Sequence, residues 1–77
     1  MKPLRMHRST FVTARKNAAY FWEVRVDVPN RRVTTLAGRA GTAGRRVTRR
    51  FNSYEDVRDF AERVTEQKLS AGYAQVA

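Results

Sequence analysis

The 77-residue sequence contains no cysteine and a single histidine. Disulfides and thiolate zinc sites are therefore excluded, and His7 has no second nitrogen or sulfur ligand with which to complete a transition-metal site. The same scarcity leaves Ser9, Ser53 and Ser70 without a positioned base for nucleophilic catalysis. We therefore expect no bound metal, no cofactor, no small-molecule substrate and no enzymatic activity.

Long apolar runs are missing as well. A bilayer-spanning helix needs about 20 consecutive apolar residues, and the sequence has no such stretch and no signal-peptide core. We therefore expect a cytoplasmic protein that has no membrane partner.

Acidic residues are few. Seven Asp and Glu stand against 16 Lys and Arg, which gives a formal net charge of +9. Thirteen of the 16 bases are arginine, whose planar guanidinium can bind phosphate through two donors at once. This composition favours a polyanionic partner. A GC-rich coding sequence also enriches arginine, so composition alone leaves both explanations open.

Residues 21–28 alternate apolar and charged side chains, a pattern typical of a strand with one buried and one solvated face. Pro29 and Asn30 follow as a turn, because proline presets its backbone angle and asparagine tolerates the left-handed region. Upstream, residues 1–8 are predicted as a basic arm, and residues 9–77 as a single domain. The residues predicted to face inward are Trp22, Val24, Val26 and Val28.

Glycines mark a loop between two of the remaining strands. Gly38, Gly41 and Gly44 permit positive φ angles there. Arg49 interrupts the apolar face of the strand that follows, so it must lie at a sheet edge, a bulge or a binding surface. The remaining predicted strands cover residues 9–15, 32–37 and 45–51.

Ser53 is predicted to cap the N-terminus of a helix over residues 54–69, because serine is a preferred N-cap and Asp56 follows three residues later. Gly72 is predicted at the C-terminal cap. Strands followed by one helix predict an α+β fold, a twisted antiparallel sheet of about four to five strands with one amphipathic helix packed on one face. The apolar stripe of the helix comprises Val57, Phe60, Ala61 and Val64.

The strongest local signal is the stretch of residues 31–50, which contains seven arginines and no acid. Its glycine-rich loop could bring backbone N–H groups close to an anion, although the spacing matches neither a P-loop nor a dinucleotide fingerprint. The acidic side of the helix would repel phosphates, so we expect nucleic acid to approach from the arginine-rich loop and strands. The predicted phosphate-binding arginines are Arg31, Arg32, Arg39, Arg45, Arg46, Arg49 and Arg50.

Between residues 16 and 73 the sequence resembles the WGR domain, a module named for a Trp-Gly-Arg triplet and found in poly(ADP-ribose) polymerases and small bacterial proteins. The resemblance implies the same sheet-and-helix fold. It covers about three quarters of the chain. The matching blocks, in order, are Asn17 ahead of Tyr20–Val24, then Gly38–Gly44, Phe51–Ser53, Glu66–Leu69 and Gly72–Tyr73.

The resemblance also implies site residues. In the polymerases the domain binds DNA at strand breaks, and the triplet tryptophan stacks on the sugar at the 5′ end. Asn17 matches an asparagine that contacts this DNA end, and Arg39 matches the triplet arginine. Ala37 occupies the tryptophan position, so the triplet reads Ala-Gly-Arg and lacks the stacking side chain. Gly38 and Thr42, from the same block, are included among the predicted nucleic-acid-binding residues.

Two hypotheses for the function follow. The first is a nucleic-acid-binding module of little sequence specificity that contacts double-stranded DNA at its ends or along its backbone. The second is a protein-interaction module that docks an acidic partner on the same basic surface, because Ala37 removes the most DNA-directed side chain of the family.

Overall fold

The computed structural model describes residues 6–77, with side chains from residue 8 onward. Residues 1–5 of the predicted basic arm and the His7 side chain lie outside the described part. The first strand begins at Met6, three residues before the predicted start at Ser9. The elements are β1 (Met6–Arg15), β2 (Ala18–Asp27), β3 (Arg32–Arg39), β4 (Arg45–Arg50), α1 (Tyr54–Ser70) and β5 (Ala74–Gln75).

The five strands form one antiparallel sheet in the order β4-β3-β2-β1-β5, with α1 packed on one face. This confirms the predicted α+β class. The predicted turn at residues 29–30 is also present, since the Arg31 N–H donates to the Val28 carbonyl at 3.1 Å. Strand β2 ends at Asp27, so Val28 belongs to this turn rather than to the strand.

Strand β3 is longer than predicted. Gly38 and Arg39, expected in the glycine-rich loop, continue the ladder against β2, where Arg39 lies opposite Tyr20. The Ala40 N–H then donates to the Ala19 carbonyl at 2.8 Å, and the loop begins only there. The hydrogen bonds available along β2 therefore outweigh the flexibility of glycine at this position.

The core lies between the sheet and α1. Trp22 and Val24 are buried, as their alternation predicted, and the rings of Phe11 and Trp22 lie 5.3 Å apart. Because Val33 and Val57 complete the buried cluster, the inward faces of three strands meet the apolar stripe of the helix. Val26 is partly buried and packs against this cluster.

The helix begins and ends with the expected signals. The Ser53 hydroxyl accepts a hydrogen bond from the Asp56 N–H at 3.1 Å, which confirms the N-cap. At the other end Ala71 is the C-cap, and Gly72, predicted at the cap, is the next residue, with a φ of 100°. Tyr73 then donates its N–H to the Lys68 carbonyl at 3.0 Å.

Candidate nucleic-acid interface

The sheet has a second face, opposite α1, which we call the open face. Side chains along a strand alternate between the two faces. On β2 and β3, the residues next in sequence to the buried Trp22, Val24 and Val33 therefore point away from the helix. The cross-strand register extends this assignment to the neighbouring strands. The basic residues of the open face are Arg8, Arg25, Arg32, Arg46 and Arg50.

Two carboxylates on β2 form ion pairs with three of these arginines, and two of the three are hydrogen-bonded. Glu23 accepts a hydrogen bond from the Arg25 guanidinium, and the Arg8 guanidinium lies 4.0 Å from the same carboxylate. Asp27 accepts a hydrogen bond from Arg32 at 2.7 Å. Each guanidinium has five N–H donors, so these contacts fix its orientation and leave donors for a ligand.

Asp27 is further stabilised as an anion by the neighbouring turn. The Asn30 side-chain amide donates to its carboxylate at 2.9 Å. This hydrogen bond, and then the one from Arg32, lower the pKa of Asp27 below its ordinary value of 3.8. The carboxylate is therefore ionised near neutral pH and keeps Arg32 oriented.

Arg46 and Arg50 are different, because within residues 6–77 neither of them forms an ion pair. Both are exposed on β4, an edge strand of the sheet. Arg46 lines a shallow depression of about 230 Å³ that it shares with Arg25, Arg32 and the hydroxyl-bearing Thr34. Five arginines and two carboxylates give the open face a net charge of +3.

The structure does not bring the seven arginines of residues 31–50 together on one surface. Because consecutive residues of a strand point to opposite sides, Arg45 and Arg46 lie on different faces. Arg32, Arg46 and Arg50 are on the open face, Arg39, Arg45 and Arg49 are on the helix face, and Arg31 is in the β2–β3 turn.

Two of the arginines that are not on the open face, Arg49 and Arg31, have aromatic neighbours. The Arg49 guanidinium lies 5.6 Å from the centroid of the Phe60 ring, and that of Arg31 lies 5.7 Å from the centroid of the Tyr54 ring. The edge position of β4 explains how Arg49 can occupy an otherwise apolar face, and it selects the edge among the three predicted locations. Stacking on an aromatic ring gives these arginines a packing role within the fold.

The residues singled out by the family resemblance lie at one end of the sheet. Asn17 is exposed in the β1–β2 turn, and Arg39 is exposed at the end of β3. The Thr42 hydroxyl donates to the Arg39 carbonyl at 2.7 Å and so ties the loop to the strand. Ala37 lies inside β3, directly opposite Trp22, and packs against the core. Asn17, Arg39 and Thr42 therefore lie at the same end of the sheet as Ala37, which is half-buried.

Arg8 and Arg25 are not among the site residues predicted from the sequence. Arg25 could have been found, because it lies between Val24 and Val26 and must therefore point to the solvated face. Arg8 could not, since its place beside Arg25 depends on the register between β1 and β2.

The helix presents the opposite charge on the far side of the molecule. The residues predicted on its acidic side are all exposed, and across residues 6–77 no three potential metal ligands form a cluster. The described helix is neither long nor apolar enough to cross a membrane. The acidic residues are Glu55, Asp59, Glu62 and Glu66.

A five-stranded sheet with one covering helix and a basic open face defines a small α+β module of the kind that binds polyanions. The sequence profile of the WGR domain matches residues 6–77, essentially the whole chain, and the chain therefore belongs to the WGR domain family. WGR domains are nucleic-acid-binding modules and are not themselves catalytic. Comparisons with curated proteins and with solved structures gave no match.

Proposed function

We propose that this chain is a non-enzymatic module that binds nucleic acid, duplex DNA included, through phosphate contacts made by the open face. The observation that carries the proposal is the position of Arg46 and Arg50. Both project from an edge strand onto the same face as Arg25 and Arg32, and neither is neutralised by a carboxylate within the described residues.

The spacing of the arginines suits a repeating phosphate backbone better than it suits a single small anion. Arg25 and Arg32 are held by carboxylates, so little side-chain entropy is lost when they bind a ligand. Between the arginines, the hydroxyls of Thr34 and Thr48 share a hydrogen bond of 3.1 Å, and hydroxyls also donate to phosphate oxygens. The basic groups therefore extend over several strands, as contact with a repeating backbone requires.

Phosphate contacts carry no direct information about base sequence. We therefore expect binding of similar strength to duplexes of different sequence. The helix side, with its exposed acidic residues, should face away from the nucleic acid.

A salt titration of binding to a fluorescently labelled duplex tests the proposal. About four phosphate contacts give a slope of log K against log salt near −3.6, or roughly a hundredfold loss of affinity between about 50 and 200 mM salt. The matched variants are Arg46→Gln/Arg50→Gln on the open face and Arg45→Gln/Arg49→Gln on the helix face. Both variants remove two positive charges from the same strand.

The open-face variant should reduce the steepness of the slope by about two, whereas the helix-face variant should change it little. An equal effect of the two variants would mean that net charge alone drives binding. A larger effect of the helix-face variant would place the contacts on the other side of the sheet, and a flat salt response would contradict phosphate binding.

The second candidate is docking of an acidic protein on the same arginines, which Ala37 favours because it lacks the family's stacking side chain. A polyglutamate chain of matched charge distinguishes this candidate from the first. Comparable affinity for polyglutamate and for the duplex would support protein docking, and a clear preference for the duplex would support nucleic-acid binding.

A further inference from the structure

The open face also carries an apolar patch that phosphate contacts do not use. Its members are Val12, Phe21 and Leu36, of which Val12 is 39% exposed and the other two are half-buried. Val12 lies directly opposite Phe21, and Phe21 lies opposite Gly38 on β3. Leu36 is two residues before Gly38 and therefore lies on the diagonal from Phe21.

The ring of Phe21 is held by two glycines. A Cβ atom on Gly44 would lie 2.8 Å from Cζ of Phe21, and one on Gly38 would lie 3.4 Å from Cε1. The edge of the ring thus contacts backbone that carries no side chain, and this contact orients it at the base of the loop. An aromatic ring fixed in this way can offer a preorganised stacking surface.

The patch adjoins the unneutralised charge. Leu36 lies directly opposite Arg46 across β3 and β4, so an apolar side chain and a guanidinium that has no ion-pair partner among residues 6–77 are cross-strand neighbours. A ligand that fits both joins an apolar group to an anion, and a nucleotide, with its aromatic base and its phosphate, has this composition. A second copy of this chain would instead oppose one basic face with another.

Paired and unpaired strands differ in what they can present to this patch. In a duplex the bases are stacked on one another, so the open face can reach only the backbone. An unpaired strand can place a base on a partly exposed aromatic ring while its phosphates contact arginine. We propose that the open face binds unpaired nucleic acid more tightly than duplex, with one base packed on Phe21 and an adjacent phosphate on Arg46.

This inference rests on the proposed function, because it assigns the phosphates to the same arginines. Its test compares three labelled probes of equal length: a thymidine oligonucleotide, an abasic strand with the same phosphates, and a duplex. Stacking of one base strengthens binding by about 5- to 100-fold. The wild-type protein should therefore bind the thymidine strand more tightly than the abasic strand by a factor in this range.

Phe21→Leu keeps an apolar side chain but removes the ring. We expect it to lose about 5- to 100-fold in affinity for the thymidine strand and to bind the abasic strand within about twofold of the wild type. Tyr20→Leu is the matched control, because Tyr20 is the adjacent aromatic residue and lies on the helix face. This control should bind both strands as the wild type does.

The possible outcomes distinguish failure of the stacking inference from failure of phosphate binding. Equal wild-type affinity for the thymidine and abasic strands, with a steep salt dependence, would overturn the stacking inference and leave phosphate binding intact. A flat salt dependence with all three probes would overturn both. If Tyr20→Leu weakens thymidine binding and Phe21→Leu does not, the stacking surface lies on the helix face and the inference is wrong. Thermal unfolding checks that each variant folds, and the wild-type comparison decides without any variant.

Discussion

Arg32 on β3 lies directly opposite Arg50 on β4, and the Asp27 carboxylate on β2 accepts a hydrogen bond from the Arg32 guanidinium. Like charges directly opposite each other destabilise a sheet. Asp27 offsets one of the two charges, and Asn30 holds the carboxylate from the adjoining turn. Asp27 therefore reduces the repulsion between facing arginines on β3 and β4.

Stability should consequently depend on the ionisation of Asp27. Hydrogen bonds from Asn30 and Arg32 lower its pKa below 3.8 in the folded protein, so the folded state favours the anion. This contribution is fully present above the unfolded pKa and is lost as pH falls through the folded one. Near neutral pH, Asp27→Asn should have a lower free energy of unfolding than the wild type, and the difference should shrink below about pH 4.

Urea unfolding of both proteins across this pH range provides the measurement. The other carboxyl groups titrate in both proteins and largely cancel in the difference. A difference that stays constant down to about pH 2 would show that the stabilisation does not come from the carboxylate.

Replacing the helix cap should lower stability measurably. Ser53→Ala removes the acceptor for the Asp56 N–H, and loss of such a cap costs about 1 kcal/mol. For a domain of this size, that loss lowers the Tm by about 4 to 8 °C in thermal unfolding. Ser70→Ala, at the exposed last residue of α1, is the control and should leave the Tm nearly unchanged. Equal shifts for the two variants would argue against the cap.

The loop between β3 and β4 offers a comparison between two glycines. Both Gly41 and Gly44 have positive φ, but only at Gly44 would a Cβ meet Phe21 and the Ala37 carbonyl within 3 Å. Gly41→Ala should cost about 1 to 2 kcal/mol, from backbone strain alone. Gly44→Ala should cost clearly more, because it adds a steric clash. Urea unfolding of both variants measures the difference, and equal costs would mean that the loop relaxes freely.

Restoring the family tryptophan should disturb the fold. Ala37 is half-buried opposite Trp22, so Ala37→Trp forces a large side chain against the core, at a cost of about 1 to 3 kcal/mol. From the sequence, Ala37 is predicted as the last residue of a strand, whereas β3 continues to Arg39 and keeps Ala37 inside the sheet. Ala40→Trp, in the exposed loop, is the control for thermal unfolding. An unchanged Tm for Ala37→Trp would mean that its indole reaches solvent.

The elements that were predicted correctly have a local sequence pattern, such as alternating apolar residues or a capping residue. Alternation through Trp22 and Val24 identified the buried face of β2 because every second residue there meets α1 or its neighbours. Ser53 identified the start of the helix because capping is a local interaction. Such signals lie within a few residues of sequence and need no knowledge of the partner strand.

The grouping of the arginines could not be predicted in the same way. Strand β4 carries arginine on both faces, so its arginines do not themselves mark a basic side. Alternation with Val47 assigns Arg49 to the inward side, but only the register with β3 shows that Arg46 and Arg50 lie beside the open-face residues Leu36 and Arg32. The burial of Ala37 likewise depends on its position opposite Trp22 on the neighbouring strand. Strand β5 has only two residues, which is too short for a recognisable alternation.

Strand β4 has a further consequence, because its outer side pairs with no strand among residues 6–77. Four of its six residues are arginine, so a second molecule adding its own β4 there would bring two rows of positive charge together. This repulsion protects the edge from intermolecular sheet growth. A bound polyanion would cancel part of it, so the tendency of neighbouring molecules to join edge to edge should increase when they crowd along the same strand of nucleic acid.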